Sequence, residues 1–291
     1  MLQPATPHRR TDNEIQSLRA AGRIAAVALK AGVSVCRAGV TTAEINGAVA
    51  RKITQCGGEA LFKGYRQGRS PPFPGACCVS VNEEVVHGIP GPRLIRPGDA
   101  VSIDVGVRLD GWCGDTATTV LVTSDSAGFR GEPGFFAPAP GTPDAARLIR
   151  VTRDVLAGCI AAIRPGVRWS EIAVVAERHA EKEQLGIVTE YVGHGLGRTL
   201  HEPPKVPCFA TGFVGDDFVL EPGMVLAIEP LLTLDGPAAW LPASEKPGPT
   251  ARSAVCVARD GWTVRTVSGA WACHEEHSVL VTGRGADILT A

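Results

Sequence analysis

Apolar residues recur at helical spacing in four parts of the chain and alternate with polar residues in several shorter parts. The first predicted helix begins after Thr11, where a cap residue and an acidic first turn precede apolar positions that continue towards Lys30. The second predicted helix follows Thr42 and ends before Gly57. The remaining predicted elements are helices at 145–163 and 170–184 and strands at 77–81, 99–122, 224–232, 253–258, 262–267 and 277–281.

Three segments lack this periodicity. Residues 59–75 combine Gly, Pro, Arg and aromatic residues, which is typical of a surface loop. Residues 124–143 are rich in Pro and Gly and predict a linker or an insertion, and residues 235–250 predict another Pro-rich loop.

The stretch from Asp99 to Val120 predicts a hairpin that carries two acidic residues. Its first strand alternates apolar and other positions, and the Asp-Gly pair at 110–111 is a hairpin-turn signal. Asp104 and Asp115, eleven positions apart, can then lie side by side on neighbouring strands. Two bare carboxylates so close would repel, and one would protonate, unless a cation lay between them. The alternative is that both residues only cap loops at strand ends.

Two sequence matches at nearly one offset indicate an internal repeat. The run RAGV that precedes Glu44 recurs as RPGV before Glu171 with the same spacing, and a Pro-Gly pair precedes both Asp104 and Glu229. The offsets are 127 and 125 residues, which predicts a duplicated helix-helix-strand unit.

This repeat favours a metal site over the capping alternative. A pseudo-two-fold axis would place Asp104 and Glu229 at equivalent positions that face one centre. By the same logic Asp115 should correspond to an acid late in the second half, and Glu276 is the natural candidate. Four carboxylates that converge on one point are unstable without a metal ion.

Two histidines add to this predicted site. His194 and His201 stand seven positions apart in GHGLGRTLHE, a run we predict to be a glycine-rich loop that exposes the imidazoles to a cavity. A lone histidine in a loop is usually only a polar surface group, but this run precedes the strand that carries Glu229. One imidazole with four carboxylates suits Mn, Fe, Co or Zn. Two such ions about 3.5 Å apart would hold a hydroxide between them.

Composition excludes several classes of protein. A hydrophobic fraction of 44% and a charged fraction of 20% are ordinary for a soluble globular chain. The net charge of -1 gives no reason to expect nucleic acid or an anionic membrane as a partner, and no run approaches the roughly 18 apolar residues of a membrane span. Nine scattered cysteines without a CxxC pair, and a first segment without a signal-peptide core, predict a cytoplasmic protein.

Five blocks of the chain, in order, resemble the signature blocks of type I methionine aminopeptidases over roughly residues 12–284. These blocks are VNEEVVHGIP, SIDVGVRLDGWCGDT, GHGLGRTLHEPP, EPGMVLAIEP and EEHSVLVT. The resemblance implies the α+β pita-bread fold, in which two pseudo-symmetric halves surround a central curved antiparallel sheet with helices on its outer face. We therefore expect one catalytic domain over 1–291, with a short N-terminal extension at about 1–11 and repeats at about 12–123 and 144–284.

By matching position, the resemblance assigns two divalent metal ions (Mn, Fe, Co or Zn) to five ligands. Asp104 would bind one ion bidentately, and Asp115 and Glu276 would bridge both ions. His194 would bind the second ion, and Glu229 would assist it.

The resemblance also implies a reaction, the removal of the N-terminal methionine from nascent proteins and peptides, with a preference for a small second residue. A metal-bridged hydroxide would attack the first peptide carbonyl while Glu229 shuttles the proton. His201 would stabilise the carbonyl oxygen as it becomes anionic. His87 would hydrogen-bond the scissile amide nitrogen or the backbone beyond it.

The methionine pocket departs from the usual pattern of the family. Leu200 stands where an aromatic residue is usual, and Val86 replaces a common cysteine. The loop at 59–75 differs as well, so Tyr65 has no assigned counterpart. Methionine is unbranched and soft, so an apolar pocket tolerates such changes, and a relaxed side-chain preference is expected. Three residues match the pocket by position: Phe73, Cys78 and Trp262.

Alternative functions stay open at this point. Proline-specific aminopeptidases and prolidases share the fold and ligands, but they generally carry a further N-terminal domain for which the residues before His87 leave no room. A binding protein that kept the fold and lost catalysis would usually lose metal ligands, and all five are present here. Ribosome or nucleic-acid binding would use a basic cluster, but a solvated surface explains this cluster better: Arg66, Arg69, Arg93 and Arg96. The expected partners are nascent polypeptide N-termini, with ribosome association left open, no membrane, no specific nucleic acid and a monomeric state.

Overall fold

The fold, seen in a computed structural model, consists of helices packed on a large antiparallel sheet. The predicted insertion at 124–143 lies outside the described residues except for Pro143, and the predicted loop at 235–250 does so except for Asp235. The structure describes residues 8–68, 70–122, 143–211, 217–235 and 252–291.

The helices begin where the cap residues predict them. Oε2 of Glu14 accepts a hydrogen bond from the backbone N–H of Thr11 at 2.9 Å, and Glu44 does the same for Thr41 at 2.7 Å. The first helix continues to Val35, beyond its predicted end. In the described part of the chain, the α-helices are α1 (Asp12–Val35), α2 (Thr42–Gln55), α3 (Pro143–Ala162) and α4 (Trp169–Lys182).

The strands form one large sheet and two small ones. The large sheet has the order β1-β4-β5-β14-β9-β7-β8, with β2 paired to β4 and β15 paired to β14, and all of these pairings are antiparallel. The small sheets have the orders β13-β10-β6 and β11-β12-β3. The strands are β1 (Glu59–Ala60), β2 (Cys78–Val81), β3 (Glu84–Val86), β4 (Ala100–Leu109), β5 (Trp112–Leu121), β6 (Gly186–Ile187), β7 (Gly193–Gly195), β8 (Glu202–Val206), β9 (Val225–Ile228), β10 (Leu231–Thr233), β11 (Val255–Val257), β12 (Val264–Thr266), β13 (Ala272–His274), β14 (Glu276–Val281) and β15 (Ala286–Ile288).

The helices cover one face of the large sheet and leave Asp104 on the other. Ile103 and Val105 on β4 belong to the apolar core that α1 and α2 complete. Because neighbouring side chains on a strand point to opposite faces, Asp104 between them faces away from these helices. A second core joins α3 and α4 to β9 and β14. The α+β fold with helices outside an antiparallel sheet is therefore confirmed.

The two matching sequence segments have the same backbone hydrogen bonds. The backbone N–H of Gly39 donates to the carbonyl of Ile95 at 2.9 Å, and that of Gly166 donates to the carbonyl of Leu220 at 2.8 Å. Both glycines have a left-handed conformation, with φ of 85° and 87°, which residues with a Cβ rarely adopt. The segments therefore share their turn geometry as well as their sequence.

Three local predictions are wrong. Residues 59–75 are not all surface loop, because Glu59–Ala60 forms β1 and the side chains of Phe62 and Phe73 are buried. The run around His194 is not all loop, because Gly193–Gly195 forms β7 and Glu202–Val206 forms β8. The strand predicted at 224–232 is divided into β9 and β10, and Pro230, which has no N–H to donate, lies at the interruption.

Among the described residues, no helix combines the length and the apolar character that crossing a bilayer requires.

The close crossing of α1 and β5 predicts a cost for any side chain at Gly114. A Cβ there would lie 2.6 Å from the backbone nitrogen of Gly22, and backbone atoms cannot move aside as a flexible side chain can. We expect Gly114→Ala to lower the free energy of unfolding by about 1–3 kcal/mol. The matched control, Gly158→Ala on α3, meets no atom within 4 Å and should raise it by up to about 1 kcal/mol. Urea unfolding measures both, and equal effects would contradict the steric explanation.

Candidate metal centre and substrate pocket

The five predicted metal ligands lie on five neighbouring strands of the large sheet, β4-β5-β14-β9-β7. Strand pairing thus brings together residues that are as many as 172 positions apart in the chain. All of them are buried except Glu229, which is partly exposed. They are Asp104 on β4, Asp115 on β5, Glu276 at the start of β14, Glu229 directly after β9 and His194 on β7.

The hairpin of β4 and β5 aligns Asp104 and Asp115 as predicted. Asp104 pairs with Ala117, and Gly106 pairs with Asp115. Since directly paired residues share a face and every second residue on a strand returns to it, the two aspartates are diagonal neighbours on one face.

Hydroxyl groups fix this arrangement across the strands. The backbone N–H of Asp115 donates to Oγ of Ser278 at 3.1 Å, and that hydroxyl donates to the backbone carbonyl of Asp115 at 2.7 Å. Oγ1 of Thr116 donates to the carbonyl of Glu276 at 2.8 Å. The first and second halves of the chain are therefore joined at the site itself.

His194 presents one ring nitrogen to the carboxylates. Its Nδ1 lies 3.0 Å from the carbonyl oxygen of Gly195, which can only accept, so Nδ1 carries the proton and Nε2 is left to bind a metal. Nε2 lies 3.9 Å from Oδ2 of Asp115 and 3.7 Å from Oε1 of Glu229. Ligand atoms of Asp115, His194 and Glu276 all lie within 4.8 Å of one another.

The electrostatics of the carboxylates match a cation site. Burial raises the pKa of Asp104, Asp115 and Glu276 well above their ordinary values, and neighbouring carboxylates raise each of them further. Burial, and then Asp115, raises the pKa of Glu229 to about 8. Oδ1 of Asp104, Oδ1 of Asp115 and Oε1 of Glu276 are buried without a hydrogen-bond partner in the described part of the protein. The residues present therefore fit a divalent metal centre, because carboxylate and imidazole are common ligands of divalent first-row transition metals.

His87 and His201 both line the cavity of about 860 Å³ that opens onto the carboxylates. The imidazole of His201 packs edge-on against that of His194, with 4.4 Å between ring centroids. His87 has a φ of 59°, a strained value for a residue with a side chain, and its ring packs against Tyr191. Burial lowers the pKa of His87 to about 4 and also lowers the pKa of His201, so both imidazoles are neutral at pH 7.

Apolar side chains close one end of the cavity. Phe73 packs edge-on against Trp262 with 5.4 Å between ring centroids, and Cys78 and Leu200 belong to the same buried cluster. Val86 lines the cavity as well. The three residues predicted to bind the substrate side chain, Phe73, Cys78 and Trp262, are thus brought together next to the carboxylates.

Tyr65, which sequence comparison left unassigned, also lies in this cavity. Its hydroxyl is 2.9 Å from Nδ1 of His201, and its ring is 6.3 Å from that of Trp262. Paired backbone hydrogen bonds explain this position, because Phe73 donates to the carbonyl of Tyr65 and Gly64 donates to the carbonyl of Phe73, both at 2.8 Å. The changed loop at 59–75 therefore folds back over the pocket.

The segment before α1 supports the loop that carries His201. Arg10 forms a largely buried ion pair with Glu202, and Glu202 accepts a hydrogen bond from the backbone N–H of Thr199 at 3.0 Å. The backbone N–H of Arg10 donates to the carbonyl of Gly223 at 2.8 Å. Arg10, near the end of the predicted N-terminal extension, is thus part of the frame of the site, and the sequence carried no signal for this contact.

A third histidine, His274, was not predicted and also faces the carboxylates. Its Nε2 lies 3.5 Å from Oε2 of Glu229 and 3.9 Å from Oε2 of Glu276. The sequence held a signal for this position. In extended backbone, His274 lies two positions before Glu276 and therefore shares its face. Between them, Glu275 points the other way and binds Arg153 at 2.9 Å.

Comparison with known proteins agrees with this geometry. The profile of metallopeptidase family M24 matches residues 16–283. The chain is 36% identical over 281 residues to methionine aminopeptidase 1 of Bacillus subtilis. This alignment covers 97% of this chain and 98% of that protein. It is 34% identical over 282 residues to the methionine aminopeptidase of Treponema pallidum, with coverage of 97% and 95%.

Solved structures show the same relationship. The crystal structure of methionine aminopeptidase from Thermotoga maritima matches with a TM-score of 0.81 at 35% identity and covers 98% of this chain and 99% of that one. The prolidase of Pyrococcus furiosus matches with a TM-score of 0.66 at 20% identity, over 97% of this chain and 65% of that one. This second likeness shows a shared fold alone.

The raised pKa of Glu229 predicts that metal stabilises the protein more at pH 8 than at pH 5. In the metal-free protein this pKa lies near 8 rather than at its ordinary 4.5, so the folded state holds a proton that the unfolded state has lost. The free energy of unfolding therefore falls as the pH rises from about 4.5 to about 8. A bound cation favours the ionised carboxylates and offsets this loss. The difference in Tm between manganese-loaded and EDTA-treated protein should therefore widen from pH 5 to pH 8, as measured by scanning calorimetry. A difference that stays constant would contradict the predicted linkage.

Proposed function

The chain belongs to metallopeptidase family M24 and, within it, to the methionine aminopeptidases, and we propose that it removes the initiator methionine from nascent proteins and peptides whose second residue is small. One observation carries this proposal. Four carboxylates and an imidazole meet on neighbouring strands, next to an apolar cavity that can hold one side chain.

Two divalent metal ions, Mn, Fe, Co or Zn, are proposed for the carboxylate centre. Asp104, Asp115, His194, Glu229 and Glu276 would hold these ions. The buried oxygens of Asp104, Asp115 and Glu276 that have no partner among the described residues support this assignment. Bound there, the ions would lower the pKa of water and so supply a nucleophile near neutral pH.

Glu229 is the proposed proton carrier of the reaction. It lies at the edge of the centre with one side open to the cavity, and burial brings the pKa of its carboxyl to about 8 in the metal-free site. A carboxyl with a pKa near the working pH can both take a proton and release it. Glu229 would receive a proton from the attacking water and pass it to the leaving amine.

His201 is the proposed donor to the carbonyl oxygen. The hydroxyl of Tyr65 can donate to Nδ1 of His201 over their 2.9 Å separation, which leaves the proton of the neutral imidazole on Nε2. That N–H can then stabilise the oxygen as negative charge develops. His87, on the same cavity wall, would bind the scissile amide nitrogen or the backbone beyond it.

The closed apolar pocket explains why one residue would be removed at a time. A methionine side chain can fill the space among Phe73, Cys78 and Trp262, where its sulfur gains about 0.3–1.5 kcal/mol from each aromatic contact. The free amino group would then lie beside the metal centre, which is why the enzyme would remove one residue only. Leu200 leaves this pocket without one aromatic wall, so a relaxed preference for methionine is part of the proposal.

Cytoplasmic location, a monomeric state and ribosome association are proposals that rest on the sequence. The basic cluster proposed for ribosome contact is smaller than its four arginines suggest. Arg93 forms an ion pair with Glu84, with 2.9 Å between a guanidinium nitrogen and Oε1. Arg69 lies outside the described residues. Arg66 and Arg96 are exposed.

Methionine release from Met-Ala-Ser by metal-stripped protein, before and after manganese, iron, cobalt or zinc is added back, tests the proposal. We expect release only with metal, slower release from Leu-Ala-Ser than from Met-Ala-Ser, with the ratio of the two rates measuring how far the preference is relaxed, and none from Ala-Pro-Ala. His201→Ala should lower kcat by about 10²–10³-fold because the developing negative charge loses a donor. His179→Ala on α4, away from the cavity, is the matched control and should leave kcat unchanged.

Two outcomes would overturn this function. Cleavage of Ala-Pro-Ala in place of the methionyl peptide would move the protein to the proline-specific branch. Metal binding without cleavage of any peptide would favour a binding protein on the same fold.

A further inference from the structure

Glu229 lies between two buried imidazoles. Its Oε1 faces Nε2 of His194 at 3.7 Å, and its Oε2 faces Nε2 of His274 at 3.5 Å. His194 has an assigned role as a metal ligand, whereas His274 has none. His274 is only 3% exposed, and its Nε2 has no hydrogen-bond partner among the described residues.

The backbone around His274 is fixed, which gives its imidazole a defined direction. The backbone N–H of His274 donates to Oγ1 of Thr119 at 3.0 Å, and that hydroxyl donates to the carbonyl of His274 at 2.8 Å. In the small sheet of order β13-β10-β6, His274 pairs with Leu231, which is two residues after Glu229. The two side chains are therefore held next to each other by the sheet and not by a mobile loop.

A carboxylate that gives one oxygen to a metal ion keeps the other oxygen free to accept a hydrogen bond. Partners of this kind orient the ligand, and their loss weakens metal binding. A shift of about half an ångström would bring Nε2 of His274 and Oε2 of Glu229 to the 2.9–3.0 Å of an N–H···O bond. A buried N–H donor without another partner favours that bond, because a buried donor left unpaired destabilises the fold.

We propose that His274 is a positioning residue for Glu229. Its Nε2–H donates to Oε2 of Glu229, so that Oε1 stays directed towards His194 and towards the metal ion that these two residues would hold. The inference rests on the proposed function, because it assumes that Glu229 is a ligand of the metal centre. The neutral imidazole adds no charge to the centre and acts only through the direction of the carboxylate.

Manganese affinity, measured by titration calorimetry on metal-stripped protein, tests this role without any peptide. His274→Leu, which has no donor, should weaken binding by about 10–100-fold. His274→Gln carries an amide N–H that can reach the same oxygen and should stay within about threefold of wild type. His274→Asn, one methylene shorter, should lose affinity as the leucine variant does. If the leucine variant does not fold, the comparison of Gln with Asn decides.

A matched control is available on the adjoining strand. His277 is also a largely buried imidazole, but its Nδ1 lies 2.9 Å from Oγ1 of Thr290, away from the carboxylates. His277→Gln should lower Tm and leave manganese affinity within about twofold of wild type.

The possible results distinguish a failure of the positioning role of His274 from a failure of the proposed peptidase function. Unchanged affinity in both His274→Leu and His274→Asn would overturn the positioning role. If His274→Gln lost as much manganese affinity as His274→Leu, the positioning role would also be overturned. That result would indicate that the imidazole nitrogen is itself a metal ligand. The expected pattern of affinities without methionine release from wild-type protein would overturn the peptidase function and leave the positioning role standing.

Discussion

Mutual repulsion among four carboxylates is the constraint on which the rest of the structure depends. Asp104, Asp115 and Glu276 are buried, Glu229 borders the same centre, and burial and mutual repulsion raise the pKa of all four. Charges removed from water without a partner destabilise a fold by more than a single hydrogen bond returns. A cation is the partner that this donor set requires, and the metal dependence of family M24 follows from it.

The sheet resists this repulsion because the residues that carry the charges are tied to it on both sides. Ser278 bonds the backbone of Asp115 in both directions, and Thr119 does the same for His274. These short hydroxyl side chains join strands from the two halves of the chain without adding charge. Hydrogen bonds within the protein therefore fix the backbone of the centre, which favours accurate placement of a substrate.

The pocket is built differently from the metal centre. Its apolar wall depends on the loop at 59–75, where Tyr65 and Phe73 are paired by backbone hydrogen bonds and pack around Trp262. The loop that carries His201 is in turn supported by Arg10 from the beginning of the chain. Selectivity for the substrate side chain thus depends on contacts between loops, which tolerate substitution more readily than the strands do.

The sequence by itself determined most elements of the fold, because strand alternation and cap residues are local patterns, and it pointed to the acids that face one centre, because the internal repeat relates the two halves. Asp104 and Asp115 followed from the spacing of one hairpin, and the repeat pointed to Glu229. Only the tertiary structure decided what surrounds them. The contacts of Tyr65 with His201, and of His274 with Glu229, join residues separated by 136 and 45 positions. Strand alternation could place His274 on the face of Glu276, but its contact with Glu229, and that of Tyr65 with His201, depend on strand pairing and loop packing, which periodicity does not encode.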